Sequence, residues 1–318
     1  MTARRGRQFV RRITDRMHRP PEQSDAATWE TIQRVRHQER PYTLDYVARL
    51  FTDFEEIRGD RLRSDDPAIV AGIARYGAGP IVVIGHQKGR DANERTYRNF
   101  GMPGPAGYRK GMRAMALAER LDLPVLTRLD TPGAVPGAGA EERGQGGAIA
   151  LSMRTMLRLS VPVVAVVIGE GSSGGALALG VADRVIMLEN STYSVISPEG
   201  AAAILWRDAT KAPLAASAFR PTAANCYRLG IADGVVPEPD DGAHSDHDEA
   251  ARLLDGYLRR ALRELRELGP AERRRQRGER YRRIGAFREL PSTNGSALAA
   301  GRERMGERPG GTGEAPPA

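Results

Sequence analysis

Residues 161–188 read VPVVAVVIGEGSSGGALALGVADRVIML, and this stretch decides the fold. Residues 161–168 are apolar and largely β-branched, which is typical of a strand buried on both faces. Residues 169–175 are rich in glycine, which tolerates positive φ, so we expect a sharp turn there. Small helix formers at 176–182 predict a helix, and residues 183–188 predict a second strand. A helix that starts on such a turn has free backbone N–H groups at its positive end, which suits a site where negative charge develops. The alternative is that the glycines only permit tight packing.

The segments before this stretch alternate in the same way. Strands are predicted at 68–75, 80–85 and 123–129, and helices at 108–121 and 142–159. Strands that alternate with helices indicate an α/β fold. The turns at 130–137 and 169–175 follow successive strands, and ligands in α/β sheets sit at the carboxyl ends of strands. We therefore expect these two turns to form one site.

The two ends of the chain differ from this core. Residues 1–23 form an arginine-rich arm that we expect to be flexible, and residues 291–318 are rich in glycine, proline and serine and are expected to be disordered. Between them we expect one domain over 24–290, with a helical lead-in at 24–60, a core at 61–240 and C-terminal helices at 246–289. The lead-in is predicted to contain helices at 24–40 and 43–54. A long amphipathic helix is predicted at 246–268.

Composition excludes several classes of protein. Cys226 is the single cysteine, which excludes an internal disulfide and a cysteine-based metal cluster. The five histidines are scattered, so we expect no metal site in this chain. No apolar run is long enough to span a membrane, and residues 1–21 lack the apolar segment of a signal peptide. We expect a cytoplasmic protein.

The charge balance leaves two alternatives open. The formal net charge is +8, and only three of the 48 basic residues are lysines. Many arginines lie in the arm and at 273–288. Such a basic patch can bind nucleic acid or another polyanion, or it can be an ordinary solvated surface.

Residues 171–175, Gly-Ser-Ser-Gly-Gly, fit the G-x-S-x-G nucleophile elbow of serine hydrolases. In that hypothesis Ser173 is the nucleophile and His244, or alternatively His86, is the base. A lone histidine in a polar loop is more often a cap or a surface residue, so the hydrolase remains an alternative.

The same glycines also match a dinucleotide-binding fingerprint. Gly169, Gly171 and Gly174 have the spacing G-x-G-x-x-G, and Glu189 follows at the distance of a ribose-binding acid. Any glycine-rich turn can meet this spacing by chance, so the signal is weak.

A longer set of motifs is far more specific. In chain order the sequence contains RPYTLDYVARLFTDFEEIRGDR, IGHQKGR, RNFGMP, GYRKGMR, LDTPGAVPGAGAEERGQ, VIGEGSSGGALALGVADRVIMLENSTYSVISPEG, ILW and EPDDGAH. Over residues 29–289 the chain closely resembles the carboxyltransferase α subunits of bacterial multi-subunit acetyl-CoA carboxylases. The resemblance implies a crotonase-like fold, a spiral of ββα units, with a helical N-terminal extension.

The resemblance also implies an activity and a set of partners. The implied reaction transfers the carboxyl group of carboxybiotin, held on a separate carrier protein, to acetyl-CoA and forms malonyl-CoA for fatty acid biosynthesis. The implied partners are a zinc-ribbon β subunit in an α2β2 assembly, the biotin carboxyl carrier protein and biotin carboxylase. Another acyl-CoA as acceptor remains an alternative.

Site residues follow from the same resemblance. The glycine pair that gives backbone N–H donors to the biotin carbonyl corresponds to Gly174 and Gly175. Contacts to the cofactor are expected from the two turns, at Gly171, Ser173, Thr131, Pro132, Gly133 and Gly137.

The sequence departs from the family pattern at several positions. Ser172 replaces the second glycine of Gly-Gly-Ser-Gly-Gly, and if that position needs positive φ the serine costs on the order of 1 kcal/mol. Val135 stands where the family has tyrosine, and Asp240-Asp241 replace Leu-Gly near His244. These departures bear on which acyl-CoA the protein accepts and on whether it keeps the activity of the family.

Overall fold

The computed structural model describes residues 25–77 and 79–285, and these residues build an α/β fold around one sheet. Its strands are β1 Thr52–Glu56, β2 Ile69–Tyr76, β3 Gly79–His86, β4 Val125–Thr131, β5 Val163–Ser172, β6 Arg184–Leu188, β7 Thr192–Ser194 and β8 Gly234–Val236. The sheet order is β1-β2-β3-β4-β5-β6-β8, and β7 pairs with the end of β5. β2 pairs antiparallel with β1 on one side and with β3 on the other, and all the later pairs of strands are parallel. The parallel pairs require crossovers, which the helices supply.

The helices lie before, between and after the strands. They are α1 Asp25–Val35, α2 Thr43–Leu50, α3 Ala92–Tyr97, α4 Pro105–Leu121, α5 Ala138–Glu142, α6 Gln145–Arg158, α7 Ser173–Gly180, α8 Pro198–Trp206, α9 Ala212–Phe219, α10 Ala223–Arg228, α11 His247–Arg266 and α12 Pro270–Arg282. In this part of the chain no helix is both long and apolar enough to cross a membrane.

The core lies on both faces of the sheet. Alternate residues of β5 enter different clusters, Val163 and Ala165 on one face and Val164 and Val166 on the other. The first cluster includes Met115 of α4, and the second includes α2 and α11 residues such as Tyr46, Leu254 and Leu258. Because both faces are buried, β5 reads as a continuous apolar run, as the sequence predicted.

The strands predicted at 68–75 and 80–85 are confirmed, and they form a hairpin in which Tyr76 pairs with Gly79 across β2 and β3. The start of α8 is also as its sequence indicates: Pro198 is the first helical residue and the Ser197 hydroxyl accepts the N–H of Gly200 at 3.1 Å. The amphipathic pattern after Asp246 is confirmed as α11.

Several predicted boundaries are wrong. The helix expected over 24–40 ends at Val35, where the chain enters a series of turns, and the helix expected over 142–159 starts at Gln145. The helix expected over 43–54 ends at Leu50, because Phe51 is extended, with φ −130° and ψ 156°, and the chain continues into edge strand β1. The turn expected over 169–175 begins later, because β7 pairs with Glu170–Ser172 and keeps β5 extended to Ser172. The helix therefore starts at Ser173 instead of residue 176.

Among the described arginines of 273–285, two are buried and do not contribute to a basic surface. Arg277 is buried and donates two hydrogen bonds to the Asp183 carboxylate, at 2.9 and 2.7 Å. The remaining Arg277 donors bind the carbonyls of Met156, Leu159 and Val161. Arg273 is also buried and binds the carbonyl of Ser160. These two arginines fasten α12 to the core.

The expected flexible arm at 1–23 and the expected disordered tail at 291–318 lie outside the described residues, as do residues 286–289 of the predicted C-terminal helices.

Candidate active site

The candidate site is the point where β5 turns into α7. Ser172 is extended, with φ −118° and ψ 138°, and Ser173 then takes a φ of +57° as the chain enters the helix. Gly174 and Gly175 are the second and third residues of α7. The N–H groups at these positions have no carbonyl partner within a helix, and the helix dipole adds positive potential.

Ser172 does not need positive φ, so the backbone cost expected there is wrong. The left-handed conformation is at Ser173, one residue later, where a non-glycine residue costs about 1–2 kcal/mol. The hydroxyl of Ser172 is buried and has no hydrogen-bond partner among the described residues. The serine at 172 therefore adds a buried hydroxyl to the turn without backbone strain at residue 172 itself.

The two predicted turns meet at Gly133 and Gly175. A Cβ built on Gly175 would lie 2.5 Å from the carbonyl carbon of Gly133 and 2.7 Å from the nitrogen of Ala134, so only glycine fits. Thr131 fixes this part of the turn, since its hydroxyl donates to the Gly133 carbonyl at 2.7 Å and accepts the Gly133 N–H at 3.0 Å.

The structure brings some of the remaining predicted site residues to the turn and leaves one of them away from it. Gly171 pairs with Thr131 in the sheet, and a Cβ on it would lie 2.9 Å from the Tyr193 ring. Pro132 lies between Thr131 and Gly133 and is partly buried. Gly137 precedes α5 and is exposed, and nothing in the described structure brings it to the turn at Gly175.

A network of ion-paired side chains lies at the same edge of the sheet. The Lys88 ammonium is 2.7 Å from Asp130 and 3.3 Å from Glu170. Glu170 also pairs with Arg36 at 2.9 Å, and Arg36 pairs with Glu199 at 2.7 Å. No local pattern predicts this network, because its members are far apart in sequence; the only signal is the polar segment QKGR directly after β3.

The charges of this network of ion pairs stabilise one another. Burial disfavours the charged form of Lys88, but the carboxylates of Asp130 and Glu170 outweigh burial and raise the pKa of Lys88. Burial likewise opposes the charge of Glu170, and Lys88 and Arg36 overcome it and lower the pKa of Glu170. Both groups are therefore ionised at neutral pH and already have partners.

The hydrolase hypothesis requires a base that contacts the Ser173 hydroxyl. Among the described residues neither histidine makes that contact, although the His86 ring lies close to the backbone of Gly175. Ser173 is exposed. The His244 ring stacks on His37 with centroids 3.8 Å apart. His86 is fully buried, its Nδ1 accepts the Asp130 N–H at 3.3 Å, and burial lowers its pKa to about 4. In the described residues no hydrogen bond joins Ser173 to either ring.

The dinucleotide fingerprint is wrong in its structural context. Gly169 and Gly171 lie inside strand β5, whereas the fingerprint requires its first glycines in the turn that follows a strand. Glu189, its proposed acid, accepts the N–H of Glu238 at 3.2 Å.

Asp240, one of the two aspartates that replace Leu-Gly, lines an open polar cavity of about 340 Å³ together with Glu30, Arg34 and Glu189.

Comparison with known sequences decides the family. The family model described as acetyl co-enzyme A carboxylase carboxyltransferase-like matches residues 9–285. The chain belongs to this family. The acetyl-coenzyme A carboxylase carboxyl transferase subunit alpha of Geobacter sulfurreducens is 54% identical over 266 residues, 84% of this chain and 83% of the relative. The protein of the same name from Yersinia pestis is 55% identical over 262 residues, 82% of each chain.

Solved structures similar to this carboxyltransferase family member agree on the fold. Transcarboxylase 12S, with methylmalonyl-coenzyme A and methylmalonic acid bound, matches with a TM-score of 0.57 at 17% identity, over 88% of this chain and 48% of that chain. A Pseudomonas malonate decarboxylase heterotetramer in complex with coenzyme A matches with a TM-score of 0.54 at 19% identity, over 76% of this chain and 92% of that chain. The predicted crotonase-like fold of the carboxyltransferase is confirmed.

Proposed function

We propose that this chain is the α subunit of an acetyl-CoA carboxylase carboxyltransferase. It takes part in moving a carboxyl group from carboxybiotin, held on a carrier protein, to acetyl-CoA, which forms malonyl-CoA for fatty acid biosynthesis in the cytoplasm. The observation that supports this most directly is the pair of N–H groups of Gly174 and Gly175 at the start of α7.

The residues present suit a carbonyl oxygen on which charge develops. The donors are neutral, and the contact between Gly175 and the backbone of Gly133 fixes their direction. Ser173 is exposed and Gly174 is half-buried, so the outer side of the turn is open to an incoming group. Fixed backbone donors of this kind stabilise developing charge without reorganising.

Carboxybiotin, when bound, supplies the carboxyl group, and the residues of this chain hold and orient it. The N–H groups of Gly174 and Gly175 would donate to its ureido oxygen, with further contacts from Gly171, Ser173 and the Thr131–Gly133 turn. The charged side chains at this edge of the sheet, among them Lys88, Asp130 and Glu170, are engaged with one another and with their neighbours. The role of this chain is therefore binding and charge stabilisation, and the acetyl-CoA side of the site belongs to a partner.

We infer that this partner is a zinc-ribbon β subunit, in an α2β2 assembly that works with the biotin carboxyl carrier protein and biotin carboxylase. The chain has apolar surface for a partner to cover. Four large apolar side chains between β7 and α10 are each more than half exposed: Val195, Ile204, Leu205 and Leu214. Several large apolar side chains exposed within one short segment favour an interaction site there.

Reconstitution tests this function. The full chain is co-expressed with a zinc-ribbon β subunit of the same family, and malonyl-CoA is measured after adding carboxybiotin and acetyl-CoA. We expect product from the mixed subunits and none from either alone. A folded, assembled complex that makes no malonyl-CoA would exclude acetyl-CoA as its acceptor, and a series of acyl-CoAs then tests the alternative acceptors.

A further inference from the structure

Strand β5 bulges next to the candidate site. Leu129 pairs with Val167, and the next pair of the ladder is Thr131 with Gly171. One residue of β4, Asp130, therefore faces three residues of β5, at 168–170. A bulge of this kind bends a strand and redirects the chain beyond it. Here Gly174 and Gly175 come within a few residues of the bulge.

The carboxylate of Asp130 fills the bulge. Its Oδ1 accepts the N–H of Glu170 at 3.0 Å, and the side chain is 2% exposed. A Cβ on Gly169 would lie 2.2 Å from that same Oδ1, so the carboxylate occupies the space that a side chain at 169 would need.

Asp130 is connected to both parts of the site. On its own strand it directly precedes Thr131, whose hydroxyl holds Gly133 against Gly175. Across the ladder it binds Glu170, two residues before the start of the turn at Ser172. A shift of Asp130 would therefore move the two turns relative to each other.

Lys88 fixes the carboxylate from a third strand. It follows β3, and its ammonium lies 2.7 Å from Asp130 Oδ1. Glu170 in turn holds Lys88 at 3.3 Å and is itself held by Arg36, which follows α1. The bulge is thus tied electrostatically to β3 and to the helical lead-in.

We propose that Asp130, held by Lys88, is a positioning residue that keeps the bulge of β5 in the shape that aims the N–H groups of Gly174 and Gly175. The proposal rests on the proposed function, because the aim of these donors matters only if they bind a reacting group. Backbone donors stabilise a transition state when they are fixed in place, and a displacement of about 1 Å can cost about 10²-fold in rate.

The opposite end of β5 offers a matched control. Asp183 Oδ2 accepts the N–H of Val163 at 2.8 Å and binds the buried guanidinium of Arg277 at 2.7 Å. In each aspartate one oxygen contacts both a β5 N–H and a cation, and in Asp183 the second oxygen also accepts from Arg277 at 2.9 Å. Asp130→Asn and Asp183→Asn remove the same charge from the same kind of contact, at the site end and at the far end of the strand.

The test compares the two variants in the complete αβ complex and in the full α chain. We expect both to lower the melting temperature. Only Asp130→Asn should lower kcat, by tenfold or more, with the KM for acetyl-CoA unchanged because that substrate belongs to the partner's side. In hydrogen exchange of the α chain, Asp130→Asn should speed exchange of the peptide covering 171–177, and Asp183→Asn should not.

A second pair of variants separates positioning from general loss of stability. Lys88→Met should reproduce the kcat loss. The double variant with Asp130→Asn should lose little more, because both substitutions remove the same contact between Lys88 and Asp130. The proposal is overturned if, in a complex whose wild type is active, Asp130→Asn turns over within twofold of wild type. It is also overturned if the 171–177 peptide exchanges as slowly in Asp130→Asn as in wild type, a result that does not depend on the reaction.

Discussion

The backbone of Gly133 occupies the place where a side chain on Gly175 would stand. A Cβ on Gly175 would lie 2.5 Å from the Gly133 carbonyl carbon, whereas a Cβ on Gly174 would lie 3.3 Å from the Cδ1 tip of Ile149. Two neighbouring glycines therefore have different reasons to be glycine. Gly175 is needed for the contact between two turns, and Gly174 faces a flexible side chain near the open side of the site.

This difference predicts unequal effects of alanine. Gly175→Ala forces two backbone segments apart, and we expect a loss of about 1–3 kcal/mol in the free energy of unfolding together with a loss of carboxyl transfer. Gly174→Ala needs only a small movement of Ile149, and alanine favours the helix, so we expect stability within about 1 kcal/mol of wild type. Urea denaturation of both variants measures this, and equal destabilisation would contradict the geometry.

Ser173 separates the carboxyltransferase from the hydrolase. If its hydroxyl is not a nucleophile, Ser173→Ala should keep carboxyl transfer within about tenfold of wild type and a covalent serine probe should not label the wild-type chain. Labelling of Ser173, together with ester hydrolysis that Ser173→Ala abolishes, would instead support the serine hydrolase.

The left-handed backbone at Ser173 has its own consequence for stability. Its φ is +57°, a conformation that glycine adopts without strain. Ser173→Gly should therefore be more stable than Ser173→Ala by about 1 kcal/mol, because alanine keeps the strain. Thermal or urea unfolding of the two variants checks the difference, and an alanine variant as stable as the glycine variant would show that the turn is not strained.

His86 predicts a pH dependence of stability. Burial lowers its pKa to about 4 in the folded chain, whereas an unfolded histidine titrates near 6.5. Between these values the unfolded state binds more protons, so the free energy of unfolding falls as the pH is lowered, by up to about 1.4 kcal/mol per pH unit from this group. His86→Gln should make the slope between pH 6.5 and 4 shallower. An unchanged slope would show that His86 is not the titrating group.

Arg277 tests the role of the C-terminal arginines. Arg277→Met leaves Asp183 buried and without its cation, which should cost about 3–5 kcal/mol. Arg275 lies on the same helix and pairs with Glu272 and Glu279 at the surface, so Arg275→Met should leave stability nearly unchanged. If Arg277→Met were as stable as wild type and instead lost affinity for nucleic acid, the basic-surface interpretation would be supported.

Local sequence predicts those features whose cause is local. The run at 161–168 is apolar because both faces of β5 are buried, and it could be recognised without any knowledge of its neighbours. The same holds for the Ser197 cap of α8 and the meeting of the two turns at strand ends, which follows from the order of strands and helices. The motif resemblance then supplied the family, which spacing alone left open.

The features that were missed depend on contacts distant in sequence. β5 continues to Ser172 because β7 pairs with it and because Asp130 fills the bulge, and neither cause lies within 169–175. The partners of Lys88 lie on two other strands. His244 stacks on His37 from the lead-in, which a local pattern around residue 244 does not contain. The position of positive φ, at Ser173 and not Ser172, also follows from where the strand ends.

The most direct test of the claim that the Gly174 and Gly175 N–H groups stabilise developing charge removes one of these donors without changing the shape of the backbone. Replacing the amide at Gly174 by an ester deletes the hydrogen of the second residue of α7, and the same replacement at Asp248, the second residue of α11, is the control. With the β subunit, carboxybiotin and acetyl-CoA, we expect the ester at Gly174 to lower kcat for malonyl-CoA formation by about 10²- to 10³-fold and the control to match wild type. An ester at Gly174 that turns over as fast as the control, in an assembled complex, would contradict the account.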